Sequence, residues 1–190
     1  MRKITAKFSI FEMIVIALTA ALGMASKPLI GPVVKLITGP LNIPGGALAG
    51  GLYMMFLILA YGLTRRLYSG TLTALIQAFL VVITGMGGGL GVVGAATYLP
   101  PGIAVDSVML IFALCGQPRT SALPCFFACM AANLTGTFMM WGVVFGMPFS
   151  VMPPAYVLLA FSASALSGGL GGLLAYCILK QVRRRQSYEN

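Results

Sequence analysis

Apolar runs of about 20 residues alternate along nearly the whole chain with short segments rich in proline, glycine or arginine. The first eight residues form a short basic lead, and the first apolar run extends over 8–26. At about 1.5 Å per residue, that run is long enough to cross a bilayer. An apolar connector follows over 27–46, and its four prolines forbid one continuous helix. Such a connector either folds back over the protein as a lid or lies at the interface as a passive loop. Further spans are predicted at 47–63, 67–84, 95–115, 122–146 and 155–179. Pro100, Pro101 and Gly102 are expected to bend or break the fourth span in its outer third. A glycine-rich loop over 85–94 and a proline-rich loop over 147–154 join spans on the outer side, and a basic soluble tail runs from Lys180 to Asn190.

Composition settles the class. Of 190 residues, 59% are hydrophobic and 8% are charged. Soluble domains carry about 25% charged residues, so too few remain here to build a water-facing surface. The expected fold is an all-α integral membrane protein with six transmembrane helices in a single domain over 1–190. The basic lead and Gly23-Met24-Ala25 also resemble a secretory signal peptide. Against that, the first run is long enough to span and no polar mature domain follows it.

Charge orients the helices. With six spans, ten of the twelve Lys and Arg residues fall on one side, and only Lys27 and Lys35 fall on the other. The positive-inside rule then places both termini in the cytoplasm. The formal charge of +9 fits this orientation better than nucleic-acid binding.

The polar residues inside the spans carry the candidate chemistry. Asp106 is the acid deep in the bilayer, and an intramembrane carboxylate is a functional candidate by default. A hydrogen-bonded structural tie is its other reading. Asn133, Thr137 and Trp141 follow at four-residue steps, so they share one helix face. That face either lines a ligand pocket or joins helices, with Trp141 in the interfacial aromatic belt. Asn42, Thr84 and Tyr98 lie near the same outer end, with Lys27 and Lys35 available to an anionic ligand group or a lipid phosphate. Cys115, Cys125, Cys129 and Cys177 read as small buried apolar residues. The chain has no histidine, and its three acids lie at different depths. No metal site, cofactor or enzymatic activity is therefore expected. The glycine run lacks the Gly-Lys-Ser/Thr ending of a phosphate loop, so the chain does not hydrolyse ATP itself.

Ala17, Ala21 and Ala25 are spaced four apart in the first span, which makes a narrow flat strip. Such a strip lets another helix approach closely, either inside the bundle or from a partner. With that strip, six spans and no ATPase motif, the chain resembles the S component of energy-coupling factor transporters. The glycine-rich start of span two, Tyr98-Leu-Pro-Pro-Gly-Ile-Ala-x-Asp106 and Ser167-Gly-Gly-Leu-Gly-Gly-Leu-Leu174 add to the resemblance. It implies a multi-pass protein of a prokaryotic plasma membrane that binds a vitamin or related small molecule from outside, with a thiamine precursor and haem among the possible cargoes. It also implies docking through Ala17, Ala21 and Ala25 to a transmembrane coupling subunit served by two ATPase subunits. Two other classes stay open: a proton-coupled secondary transporter using Asp106, and a structural membrane protein without a ligand.

Overall fold

The computed structural model describes residues 8–39, 45–86, 91–118, 120–144, 146 and 153–188. These residues form helices α1 (Ile10–Thr38), α2 (Gly45–Thr64), α3 (Ser69–Thr84), α4 (Gly91–Ala96), α5 (Leu99–Leu114), α6 (Ala122–Met139) and α7 (Pro154–Tyr188). No strand occurs among the described residues. Five segments are long and apolar enough to cross a membrane, with α4 and α5 counted together as one, and α3 is a shorter apolar helix of 16 residues. The protein is an all-α, multi-pass membrane protein. The first seven residues of the basic lead, Asn42, Arg119, the middle of the glycine loop and most of the second proline-rich loop lie outside the described residues.

The connector expected over 27–46 is largely helix instead. α1 runs for 29 residues and passes through Pro28 and Pro32. In a membrane helix, a missing N–H is tolerated where the chain or its neighbours re-satisfy the freed carbonyl. Both proline rings are exposed, on a side of α1 that no neighbouring helix covers. The helix stops at Gly39, whose N–H bonds the Lys35 carbonyl at 2.9 Å.

The expected break in the fourth span falls just before the prolines. α4 ends at Ala96, Thr97 and Tyr98 turn, and α5 begins at Leu99. Pro100 and Pro101 thus occupy the first turn of α5, where the missing donors had no helical acceptor to lose. At the other end of the chain α7 continues as helix to Tyr188, through most of the basic tail. At about 52 Å it exceeds the roughly 30 Å hydrocarbon core, so its basic end projects beyond the membrane.

The centre of the bundle is α2, which packs against α1, α3, α5, α6 and α7. Its buried Leu57, Ile58 and Tyr61 meet Val105 and Met109 of α5, Cys125, Ala128 and Cys129 of α6, and Ala175 and Leu179 of α7. Close approach rests on small residues. A Cβ on Gly51 would fall 1.9 Å from the Ser167 carbonyl oxygen, and one on Gly172 would fall 2.2 Å from that of Cys125. Backbones that close leave room for no side chain between them. Gly46, at the glycine-rich start of α2, has nothing within 4 Å. Cys125 and Cys129 are buried as expected, but Cys115 and Cys177 are exposed on the bundle's exterior. A thiol is apolar enough to face lipid as readily as protein.

Two outcomes follow from this packing. Gly51→Leu drives a side chain into backbone that cannot move aside, so it is expected to destabilise the protein by about 3 kcal/mol or more. Gly46→Ala is expected to stay within about 0.5 kcal/mol of the wild type. Thermal melting in detergent reads the difference. For topology, cysteines replacing Lys35 and Arg184, both exposed, are expected to react with an impermeant thiol reagent from opposite sides. Labelling of both from the same side contradicts the six-span orientation.

Candidate functional site

At four-residue steps along α1, Gly23, Lys27 and Gly31 form the row that faces the bundle. Lys27 Nζ donates a hydrogen bond to Tyr98 Oη at 2.6 Å. The ammonium also lies 3.9 Å from the Tyr98 ring centroid and 5.6 Å from that of Tyr53 on α2. Below it, Gln77 of α3 lies against Gly23, where a Cβ would be 2.4 Å from Gln77 Nε2. Gly23 is therefore what admits the amide. Gln77 Nε2 is buried and has no hydrogen-bond partner among the described residues. Met24, Val81 and Ala95 pack as an apolar cluster beside Tyr98.

Among the described residues this corner offers donors and aromatic faces but no carboxylate. An ammonium has three N–H donors, and the Tyr98 hydroxyl takes one. A lysine at the centre of a membrane helix costs about 2.5–3.5 kcal/mol on insertion scales. Contact with a tyrosine ring returns about 0.5–2 kcal/mol. The remaining donors suit a ligand that brings acceptor oxygens.

Asp106 has a different task. Its Oδ1 accepts the Gly70 N–H at 3.2 Å, and its Oδ2 accepts the Thr71 N–H at 2.7 Å and the Thr71 hydroxyl at 2.6 Å. Gly70 and Thr71 are in the first turn of α3, whose preceding residue Tyr68 makes no side-chain cap. The carboxylate thus caps the positive end of α3 from the neighbouring helix. Gly102, one turn away on α5, brings the two backbones together, since a Cβ there would lie 2.5 Å from Ala74 Cβ. With both oxygens engaged by α3, the geometry favours the helix tie over a proton carrier.

Asn133, Thr137 and Trp141 do share a face, and it turns toward α7. Asn133 Nδ2 donates to the Ala47 carbonyl at 3.2 Å and to the Ser164 carbonyl at 2.8 Å. The hydroxyls of Thr137 and Ser164 are 2.7 Å apart. Trp141 lies in a π-helical turn, Met140–Val144, that continues α6. It stacks on Tyr156 with centroids 5.6 Å apart and meets Phe161 edge-on at 6.1 Å. It is 4% exposed, so it is packed inside the bundle and does not belong to a lipid-facing belt.

Lys35 and Thr84 are exposed near the ends of α1 and α3 and bond no other helix among the described residues. The sequence-predicted site residues therefore separate into three places: Tyr98 with Lys27, Asp106 at the start of α3, and Asn133 with Thr137 and Trp141 against α7. Sequence reasoning missed Tyr53 and Gln77 at the Lys27 corner, and the hydrogen bonds that Ser164 and Ser167 of α7 make to other helices. Ser167 Oγ donates to the Leu48 carbonyl and accepts the Gly51 N–H at 3.2 Å. Gln77 carried a usable signal, being an amide inside an apolar run as Asn133 is. Ala17, Ala21 and Ala25 are all exposed, flanked by exposed Leu18 and Leu22 on the outward side of α1.

Removing the Asp106 carboxylate strands three buried or half-buried donors. Asp106→Leu is expected to cost about 3 kcal/mol or more, since charge-assisted hydrogen bonds contribute about 1.5–3 kcal/mol. Asp106→Asn retains an acceptor oxygen and is expected to cost less than half as much. Denaturation midpoints of the purified variants check the order.

No family model matches the chain, and no curated protein or solved structure matches it.

Proposed function

We propose that this chain is the substrate-binding membrane subunit of an energy-coupling factor importer in a prokaryotic plasma membrane. It captures a vitamin or cofactor-like small molecule from outside and delivers it inward. A transmembrane coupling subunit and two ATPase subunits act with it. The single observation that carries this reading is the outward exposure of Ala17, Ala21 and Ala25. The small residues Gly51, Gly168 and Gly172 are used up in contacts within the bundle. The alanine strip is unused there, and a flat strip in lipid serves helix–helix contact. Lys27, Tyr98 and Tyr53, on the side away from the basic residues, are the groups that meet the ligand. The engagement of Asp106 by α3 supports an importer powered by its partners over one driven through a titrating intramembrane acid.

Two substitutions separate docking from binding. Ala21→Trp is expected to cut uptake at least tenfold and to abolish co-purification with the coupling subunit. The small molecule that co-purifies with the isolated chain, identified by mass spectrometry, is expected to stay bound. Lys27→Met is expected to lose that molecule while the partner still co-purifies. Wild-type uptake by the Ala21→Trp protein would sink the docking assignment.

A further inference from the structure

A cavity lies at the basic end of the bundle, where α2 and α7 part. It measures about 230 Å³ and is lined by Gly62, Leu63, Arg65, Leu179, Val182 and Arg183. Its depth is set by Gly62, where a Cβ would lie 2.2 Å from Leu179 Cδ1. The helices touch there and diverge beyond. α2 then ends, and Arg65 takes a left-handed backbone with φ 52°, its N–H bonded to the Tyr61 carbonyl at 2.7 Å. That conformation is uncommon for a residue with a side chain.

Two guanidinium groups thus line one small cleft with no carboxylate beside them among the described residues. Glu12 is paired with Arg66 at 2.8 Å, and Asp106 is spent on α3. Arg183 Nη2 is buried and has no hydrogen-bond partner among the described residues. A planar guanidinium presents paired N–H groups that fit two oxygens of one phosphate.

We propose that this cleft binds the phosphate of an acidic phospholipid from the leaflet on the basic side of the protein. Three observations choose a lipid over a soluble anion. The cleft opens at the ends of two membrane-crossing helices, at the level where headgroups lie. Its other lining side chains, Leu63, Leu179 and Val182, are apolar, and outside the cleft Leu174 and Ile178, at four-residue steps before Val182 on α7, are 47% and 39% exposed, a surface for an acyl chain. Its volume is below the roughly 300–1,000 Å³ of pockets that enclose whole metabolites, yet sufficient for a phosphate ester. This site is independent of the outer ligand site and of the alanine strip.

Native mass spectrometry of the detergent-purified full chain tests the assignment. Phosphatidylglycerol and phosphatidylcholine with identical acyl chains are titrated against it. The wild type is expected to retain one phosphatidylglycerol at a concentration at least tenfold lower than phosphatidylcholine. Arg65→Gln and Arg183→Gln are each expected to weaken phosphatidylglycerol binding at least fivefold. Arg184→Gln, outside the cleft, is expected to leave it unchanged. Arg183→Lys keeps the charge and serves if the glutamine variant fails to fold, with a smaller loss expected. Equal retention of the two lipids, an equal loss in Arg184→Gln, or wild-type binding by Arg183→Lys would overturn the proposal. Displacement of the lipid by millimolar inorganic phosphate alone would overturn its lipid source.

Discussion

The approach of α2 to α7 at Gly51 is the contact on which the rest of the bundle depends. In lipid, two apolar helices gain nothing by leaving the solvent, because the solvent is as apolar as they are. Association must come from dense packing and from hydrogen bonds that lipid cannot replace. Gly51 and Gly171 supply the first, with a Cβ on Gly171 falling 2.1 Å from the Gly51 carbonyl oxygen. Ser167 supplies the second by accepting the Gly51 N–H and donating to the Leu48 carbonyl. Asn133 extends the arrangement by bonding carbonyls of α2 and α7 together. Three helices are thereby locked, and α5 and α3 build outward from them.

The short α3 follows from a second constraint. At 16 residues it reaches only about 24 Å, less than the hydrocarbon thickness. Its first turn therefore lies within the protein, where four unpaired N–H groups would be costly. Asp106 meets two of them and adds the Thr71 hydroxyl. A charge that would be expensive alone becomes stable against the positive end of a helix. The depth of Asp106 and the shortness of α3 are thus one fact seen from two helices.

How much of this was legible depends on whether the signal is local. The apolar runs, their number and the shared face of Asn133, Thr137 and Trp141 all follow from composition and period, which survive any packing. The fate of Pro28 and Pro32 was not legible. The rule that proline ends helices is calibrated in water, and these two lie on an uncovered side of a membrane helix. Whether Asn133 lines a pocket or binds α7 depends on Ser164, 31 residues away in sequence. The pairing of Asp106 with the first turn of α3 spans a similar gap. Gln77 stands inside an apolar run as Asn133 does, but what it faces is settled only by Gly23 on another helix.

α1 is where the internal and external demands on the chain meet. Gly23 and Lys27 turn inward to Gln77, Tyr98 and Tyr53, while Ala17, Ala21 and Ala25 turn outward. At 3.6 residues per turn, positions 21 and 23 lie on nearly opposite sides of the helix. At its base Glu12 accepts the Ser9 N–H and pairs with Arg66 before α3, fixing the helix to the bundle at its basic end. A partner gripping the alanine face therefore pulls on the same rigid rod that carries Lys27. On the proposed function, docking and ligand binding use two sides of one helix, and the hydrogen bonds of Asp106, Asn133 and Ser167 let the other helices follow it as a body.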